Sequence, residues 1–151
     1  MSFSRSTSGG INQTVAVDIG YNEISGAATT YNYEAISLPA YAVVKSVSFF
    51  LLEVFDGGAT SDLTIQVGDG TDPNGYITAK IVHVDATEVF AGITDGAYLT
   101  VGGDANTGNG KLYGASGDTL DVLFTATGAN TSVLTKGKVR VIVNFDDISQ
   151  V

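Results

Sequence analysis

Alternation between apolar and polar residues is the strongest structural signal in this chain. It is clearest at residues 62–67, with Leu63, Ile65 and Val67, and at residues 137–145, where Val or Phe occupies every second position from Val139 to Phe145. Because neighbouring side chains on a strand point to opposite faces, both stretches predict strands with one buried and one solvated face. Less regular patterns at residues 15–19, 31–38, 43–55, 76–84, 97–101 and 119–127 bring the predicted strands to about eight. Their turn spacing is typical of sandwiches, and we predict an all-β, eight-stranded jelly-roll β-sandwich.

One stretch within the predicted strand at residues 43–55 does not alternate. Phe49, Phe50, Leu51 and Leu52 are all apolar, so both faces of this strand need a cover. One face is expected to fill the core, and burying each large side chain on the other face contributes roughly 1.5–3 kcal/mol. Either another subunit or the chain's own loop at residues 20–31 or 102–118 provides that cover. We predict the subunit contact, with these four residues as the interface.

Composition supports the all-β prediction and suggests the domain organisation. The chain has 151 residues with 19 Gly and 2 Pro, and Asp outnumbers Glu, which favours turns over helices. Residues 1–10 are rich in Ser and Gly and are interpreted as a flexible N-terminal arm, followed by a single domain at residues 11–151. The chain has no apolar segment of signal-peptide length at its start and no run near the ~20 residues of a membrane helix, so no membrane partner is expected.

The charge of the chain argues against nucleic acid as a partner. The formal net charge is -9, and the Lys and Arg residues are scattered, whereas phosphate-backbone binding needs clustered cations. Lys138 and Arg140 share the polar side of one predicted strand, which indicates a solvated or edge face. The chain contains no Cys, which excludes disulfides and thiolate chemistry within it.

The Gly- and Asp-rich segment at residues 68–75 has the composition of a calcium loop but not its spacing. It differs from an EF-hand, because no carboxylate stands six residues after the last glycine. We interpret Asp69, Asp72, Pro73 and Gly75 as a structural turn in which Pro73 fixes φ and Gly75 adopts a positive φ. No metal or other cofactor is predicted.

Catalysis is not predicted either. His83 is the only histidine and shares a predicted strand face with Ile77 and Ile81, which favours a hydrogen-bonded structural role over acid–base chemistry. Nothing in the sequence marks a carboxyl group whose pKa is raised by an apolar pocket, as glycosidases require. Carboxylate pairs lie in or beside predicted turns, at Glu53 with Asp56 and at Asp118 with Asp121.

Several turn and core segments, taken in order, resemble a known family. The segments are Ile36–Ala40, Val43–Val44, Phe55–Gly58, Val67–Tyr76 and the closing Gly137–Val141. They are similar to small all-β virion proteins of tailed bacteriophages, which serve as capsid decoration (cement) proteins or as bases of head fibres. The resemblance covers residues 31–146. It implies a non-enzymatic jelly-roll subunit that forms a homotrimer and binds the major capsid protein on the outer surface of the virion, after synthesis in the host cytoplasm.

The resemblance does not extend to the chain before Tyr31. We therefore interpret the N-terminal arm as the element that orders on contact with the capsid, and predict attachment through Ser2, Phe3, Ser4 and Arg5.

A glycan-binding adhesin module is the alternative function. Such modules stack sugars on exposed aromatic rings; this chain has no Trp but seven Tyr. Tyr21, Tyr31 and Tyr33 fall near predicted loop or strand surface, although Tyr more commonly lies at a core edge or interface. Both functions stay open on the sequence.

Overall fold

The computed structural model describes residues 3–7, 11–86, 90–92, 96–99 and 110–150, with the backbone alone described at residues 3–7, 90–92 and 150. Within these ranges the chain forms ten strands and three single turns of 3-10 helix. The strands are β1 (Phe3–Thr7), β2 (Asn12–Gly20), β3 (Thr30–Leu38), β4 (Ala42–Asp56), β5 (Asp62–Gly68), β6 (Ile77–Ile81), β7 (Phe90–Gly92), β8 (Lys111–Leu112), β9 (Asp118–Thr127) and β10 (Lys136–Asp147). The 3-10 turns are Tyr21–Glu23, Thr131–Val133 and Ile148–Gln150. None of the helices described is long and apolar enough to cross a membrane.

The strands form two antiparallel sheets that face each other. Sheet A has the order β1–β2–β10–β4–β7, with β8 also paired to β4, and sheet B has the order β3–β9–β5–β6. This arrangement confirms the predicted all-β, jelly-roll-like sandwich. The number of strands in the described residues is larger than the eight predicted, because β1 and the very short β7 and β8 carry no clear alternation.

The core lies between the sheets and is built from the alternating side of each long strand. In β10, Val139, Val141 and Val143 are fully buried. Phe55 of β4 packs on Phe124 of β9 with ring centroids 5.9 Å apart, which joins sheet A to sheet B. Each fully buried aromatic or aliphatic side chain of this kind contributes roughly 1.5–3 kcal/mol.

The polar side of β10 is solvated, as predicted, but it is not at an edge. β10 lies in the centre of sheet A, hydrogen-bonded to β2 on one side and to β4 on the other. Lys138 and Arg140 are therefore exposed on the outside of the sheet, in its middle.

β-Bulges explain why the buried apolar residues of the long strand β4 are not all two residues apart. Its pairing with β10 shifts register at three places, and Lys45 and Leu52 are each an extra residue without an opposite partner. Because side chains alternate with a period of two, each extra residue resets the phase of the strand. Val44 and Val47 thus both face the core, although they are three residues apart in sequence.

Residues 3–7, within the predicted flexible arm, are paired with another strand. They form β1, which pairs along β2 from Phe3 opposite Val17 to Thr7 opposite Gln13. The pairing covers the edge of β2, whose N–H and C=O groups are otherwise open to other chains. Residues 1, 2 and 8–10 lie outside the described residues, and mobility of the arm stays a prediction.

The predicted strand at residues 76–84 is shorter and its faces are different. The register between β5 and β6 shifts between Ile65 and Val67, so the phase of β6 changes along its length. Ile77 is buried, but Ile81, predicted to share its face, is 42% exposed.

Replacement of Gly137 tests the contact between the β10 bulge and the core. Gly137 has φ 127°, and a Cβ atom there would lie 2.3 Å from the ring of Phe55. We expect Gly137→Ala to lower the free energy of unfolding by about 2–5 kcal/mol, from backbone strain and overpacking together. Gly114 is the matched control, because a Cβ atom there would have no heavy atom within 4 Å. Gly114→Ala should change the free energy of unfolding by less than about 1 kcal/mol. Equal chemical denaturation curves for the two variants would contradict this account.

Candidate functional site

The four predicted interface residues divide between the two faces of β4. Phe49 and Leu51 are buried in the sandwich core, so they are not available to a partner. Phe50 and Leu52 point away from the core and are 40% and 48% exposed. A large part of both side chains is therefore accessible, and only these two of the four residues remain candidates for contact with another molecule.

Phe50 lies in a row of side chains that crosses the outside of sheet A. The register places Phe50 opposite Arg140 of β10, and Arg140 opposite Asp18 of β2. The guanidinium of Arg140 donates two hydrogen bonds to the Asp18 carboxylate, at 2.6 and 2.9 Å. The hydrogen bond from Arg140 is the largest cause that lowers the pKa of Asp18 below its usual value. An aromatic ring thus stands beside a two-point ion pair on an exposed sheet face.

The predicted attachment residues lie at the other side of sheet A. Phe3, Ser4 and Arg5 belong to β1, the terminal strand of the sheet, and Arg5 pairs with Val15 of β2. Ser2 lies outside the described residues. Only the backbone of β1 is described, so the attachment role stays a prediction.

The turn at residues 69–75 is organised by a buried carboxylate. Asp69 is 3% exposed, and its Oδ1 accepts hydrogen bonds from the backbone N–H groups of Thr71 and Asp72, both at 2.9 Å. The backbone N–H of Gly75 donates to the carbonyl of Asp72 at 3.2 Å, and that of Asp69 donates to the same carbonyl at 3.0 Å. Pro73 lies within this compact loop and is exposed.

Three tyrosines complete the polar cluster around this carboxylate. Tyr98 donates to Oδ1 of Asp69 and Tyr113 to Oδ2, each at 2.9 Å. The hydroxyls of Tyr76 and Tyr113 are 2.6 Å apart, and because Tyr113 donates to Asp69, Tyr76 is the donor of this bond. Nζ of Lys111 lies 3.9 Å from the centre of the Tyr98 ring and 3.9 Å from Oδ2 of Asp69. We call these five residues the Asp69 cluster.

The hydrogen bonds of the Asp69 cluster decide its protonation state. Burial by itself raises the pKa of Asp69, but the N–H groups of Asp72 and Thr71 and the hydroxyls of Tyr113 and Tyr98 together hold the pKa below its usual value. Burial is also the largest cause that raises the pKa of Tyr76, Tyr98 and Tyr113. The carboxylate stays charged and the phenols stay neutral donors. The cluster is therefore a buried hydrogen-bond network with a structural role.

Gly75 has a different role from the predicted one. The prediction of a positive φ at Gly75 is wrong, because its φ is not among the positive values of the described glycines. A Cβ atom at this position would instead lie 2.4 Å from the ring of Tyr98. Gly75 is therefore required by the close packing of that ring, which a local turn pattern does not reveal.

Sequence patterns do not reveal most of the Asp69 cluster. The pattern at residues 97–101 predicts a strand that includes Tyr98, but residues 97–99 form a turn, and residues 100 and 101 lie outside the described residues. Tyr113 and Lys111 follow a Gly- and Asn-rich stretch of sequence with no regular pattern. Neither segment carries a signal that it meets Asp69, because the contacts are 29 to 44 residues apart in sequence.

His83 is buried, but it is not the hydrogen-bonded residue that was predicted. It is 4% exposed, and neither ring nitrogen has a hydrogen-bond partner among the described contacts. Its Nε2 lies 3.8 Å from Oδ1 of Asp56. Within the described parts of the chain, no three His, Cys, Asp or Glu side chains come together as possible metal ligands.

The carboxylates considered for catalysis make structural hydrogen bonds. Glu53 accepts from the backbone N–H of Gly137, at 3.2 Å. Asp121 is buried and accepts from the side chains of Asn32 and Thr119, at 3.0 and 2.7 Å.

The tyrosines considered for glycan binding differ in exposure. Tyr31 and Tyr33 pack partly against the core, whereas Tyr21 is 37% exposed. Tyr41, in the turn between β3 and β4, is 45% exposed and has φ 58°, a conformation that is uncommon for a bulky residue.

Comparison with known proteins gives a fold relationship. The chain matches no protein-family model and no curated protein. Among solved structures, it is similar to a chain of the cyanophage Pam1 capsid asymmetric unit, with a TM-score of 0.63 and 21% identity over 91% of this chain and 85% of that one. It is also similar to a chain of the acidic stable capsid structure of Helicobacter pylori bacteriophage KHP30, with a TM-score of 0.50 and 18% identity over 95% and 93% of the two chains. At these identities the likeness establishes the shared fold.

Replacement of Asp69 tests whether the hydrogen bonds of the Asp69 cluster stabilise the fold. We expect Asp69→Asn to lower the free energy of unfolding by about 2–4 kcal/mol near neutral pH, because buried donors lose a charged acceptor. The folded-state pKa of Asp69 is lowered, so its contribution is complete above the unfolded-state value and is lost as pH falls through the folded-state value. The difference between wild type and variant should therefore shrink below about pH 4.

Asp72→Asn is the matched control in the same turn. The Asp72 side chain accepts one backbone hydrogen bond, at 3.3 Å, so this variant should lose less than about 1 kcal/mol. Urea titrations across the acid range measure the difference in free energy of unfolding between wild type and Asp69→Asn. A difference that stayed constant with pH would contradict the stabilising role of the Asp69 carboxylate.

Proposed function

We propose that the protein is a non-enzymatic structural protein of a tailed-phage virion that decorates and stabilises the outer surface of the capsid as a homotrimer. Its partner is the phage major capsid protein, and it is made in the host cytoplasm before it joins the virion. The observation that carries this proposal is the shared fold over 91% of the chain with a chain of a phage capsid asymmetric unit.

The physical character of the chain supports a structural role. The Asp69 cluster connects three separate segments, at residues 69–76, 96–99 and 110–113, through buried hydrogen bonds. Such a network favours a single rigid arrangement of the loops that it joins. A rigid subunit loses little conformational entropy on docking, and three weak capsid contacts on one trimer act together with high effective concentration.

The position of β1 supports an attachment role for Phe3, Ser4 and Arg5, together with Ser2 before it. β1 is the last strand of sheet A and pairs with β2 on one side. Among the described strands its other side is a sheet edge, to which an extended segment of a capsid protein can add by backbone hydrogen bonds.

The solution mass of the purified protein tests the oligomer. Light scattering after size exclusion is expected to give three times the 15.6 kDa subunit mass, unchanged on dilution through the micromolar range. A monomer at all concentrations would contradict the homotrimer and leave a single-subunit binding module.

Deletion of residues 2–10 tests capsid attachment. We expect the truncated protein to keep its trimeric mass and circular dichroism spectrum but to lose co-sedimentation with capsids, because β1 is removed while the core strands remain. Full-length protein on the same capsids is the positive control. Unchanged co-sedimentation would overturn the attachment role of the N-terminal segment. Retention of the full-length protein on host polysaccharide, without capsid binding, would favour the glycan-binding alternative.

A further inference from the structure

We infer that the outside of sheet A around Phe50 and Leu52 is where one copy of this chain contacts another, through an electrically balanced surface in an otherwise acidic protein. This inference rests on the proposed homotrimer and identifies its contact face. We call this surface the outer face of sheet A. It consists of the outward side chains of β2, β10 and β4.

The formal charges on the outer face of sheet A cancel. Outward positions on a strand alternate with the buried ones, and at a bulge two successive side chains point outward. By this criterion four basic and four acidic residues belong to the face: Lys45, Lys136, Lys138, Arg140, Asp18, Glu53, Asp56 and Asp146. The whole chain carries -9, so the entire excess of negative charge lies on other residues.

Several charges on this face are neutralised in place. Arg140 makes its two-point pair with Asp18, and Nζ of Lys136 lies 3.7 Å from Oδ2 of Asp56. Lys138 stands opposite Glu53 in the β10–β4 register. A second molecule that approaches this face therefore meets paired charges instead of a field of one sign.

The charge distribution favours a second copy of the chain as the occupant. Two molecules of charge -9 repel each other when they meet through acidic surfaces, at separations up to the Debye length of about 8–10 Å. Contact through a face whose formal charges cancel keeps the excess negative charge of both copies outside the contact. The outer face of sheet A is thus a surface on which two copies meet without repulsion from an excess of like charges.

The same face carries the side chains that provide attraction. Phe50 and Leu52 are 40% and 48% exposed, and half-buried Ile142 lies on β10 one outward position from Arg140. The bulge at Leu52 directs both Leu52 and Glu53 outward. Aromatic residues and Arg are enriched at the centres of protein interfaces, where desolvated apolar contact provides most of the affinity.

One doubly charged variant and one matched control test the inference. Phe50→Glu with Leu52→Glu is expected to weaken self-association by on the order of 100-fold in analytical ultracentrifugation. Ile81→Glu with Val84→Glu is the control, because these residues are 42% and 48% exposed and lie on or just after β6 of sheet B. The control pair should leave the association constant within about threefold of wild type.

A thiol-protection measurement tests the same contact without using the charged variant, so its result does not depend on whether that variant folds. The chain contains no Cys, so Leu52→Cys and Val84→Cys each introduce a single reactive thiol. In the oligomer we expect alkylation of Leu52→Cys to be slowed at least roughly 10-fold relative to Val84→Cys, with both rates similar on dilution to monomer.

Ionic strength separates this neutral contact from one made by ion pairs between copies. Raising salt from about 50 to about 500 mM should strengthen self-association or leave it unchanged, because salt screens the repulsion between the acidic surfaces. Weakening by salt would overturn the inference.

The remaining outcomes distinguish the inference from the proposed function. A monomeric wild type overturns the homotrimer and, with it, this contact. An oligomeric wild type in which the Phe50→Glu/Leu52→Glu variant still associates, or in which Leu52→Cys reacts as fast as Val84→Cys, overturns the inference alone. Protection of Leu52→Cys that develops only when capsids are added also overturns it, since the capsid is then the occupant.

Discussion

The antiparallel pairing of β4 with β10 is the constraint on which the rest of the structure depends. It fixes which side of each strand faces sheet B, because a slip of one residue exchanges the two faces of a strand. With the observed register, Val141 lies beside Phe49 in the core and Arg140 lies beside Phe50 outside. The apolar core and the charged, partly apolar outer face of sheet A are thus two consequences of one alignment, and the bulges at Lys45 and Leu52 maintain it along 15 residues.

The two polar features of the molecule have different physical characters. The Asp69 cluster is buried, and its donors and acceptors are matched. Disrupting it would cost free energy, because a buried charge would lose the hydrogen bonds that compensate its desolvation. The Arg140–Asp18 pair is exposed, with side chains 45% and 16% accessible, so it contributes little to stability. The Arg140–Asp18 pair mainly affects the electrostatic field at the outer face of sheet A. The buried cluster and the exposed ion pair therefore lie in separate parts of the sandwich.

Particular residues show where sequence reasoning succeeds and where it stops. The period-two pattern predicts Val139 and Leu63 in the core, and both are fully buried. The same rule fails for Ile81, because a register shift between β5 and β6 cannot be read from one strand alone. A turn pattern predicts a positive φ at Gly75, but the reason for glycine is the Tyr98 ring, which comes from a distant segment.

The sequence by itself determined the class of fold, the long strands and the identity of the unusual apolar stretch, because these follow from local alternation and turn composition. Only the tertiary structure decided that Phe50 and Leu52, and not Phe49 and Leu51, remain exposed, that β10 is central, and that Asp69 meets Tyr98 and Tyr113. Each of these depends on the register between strands or on contacts between remote segments. A period of two says that two faces exist, but only pairing with the other strands says which face is inside.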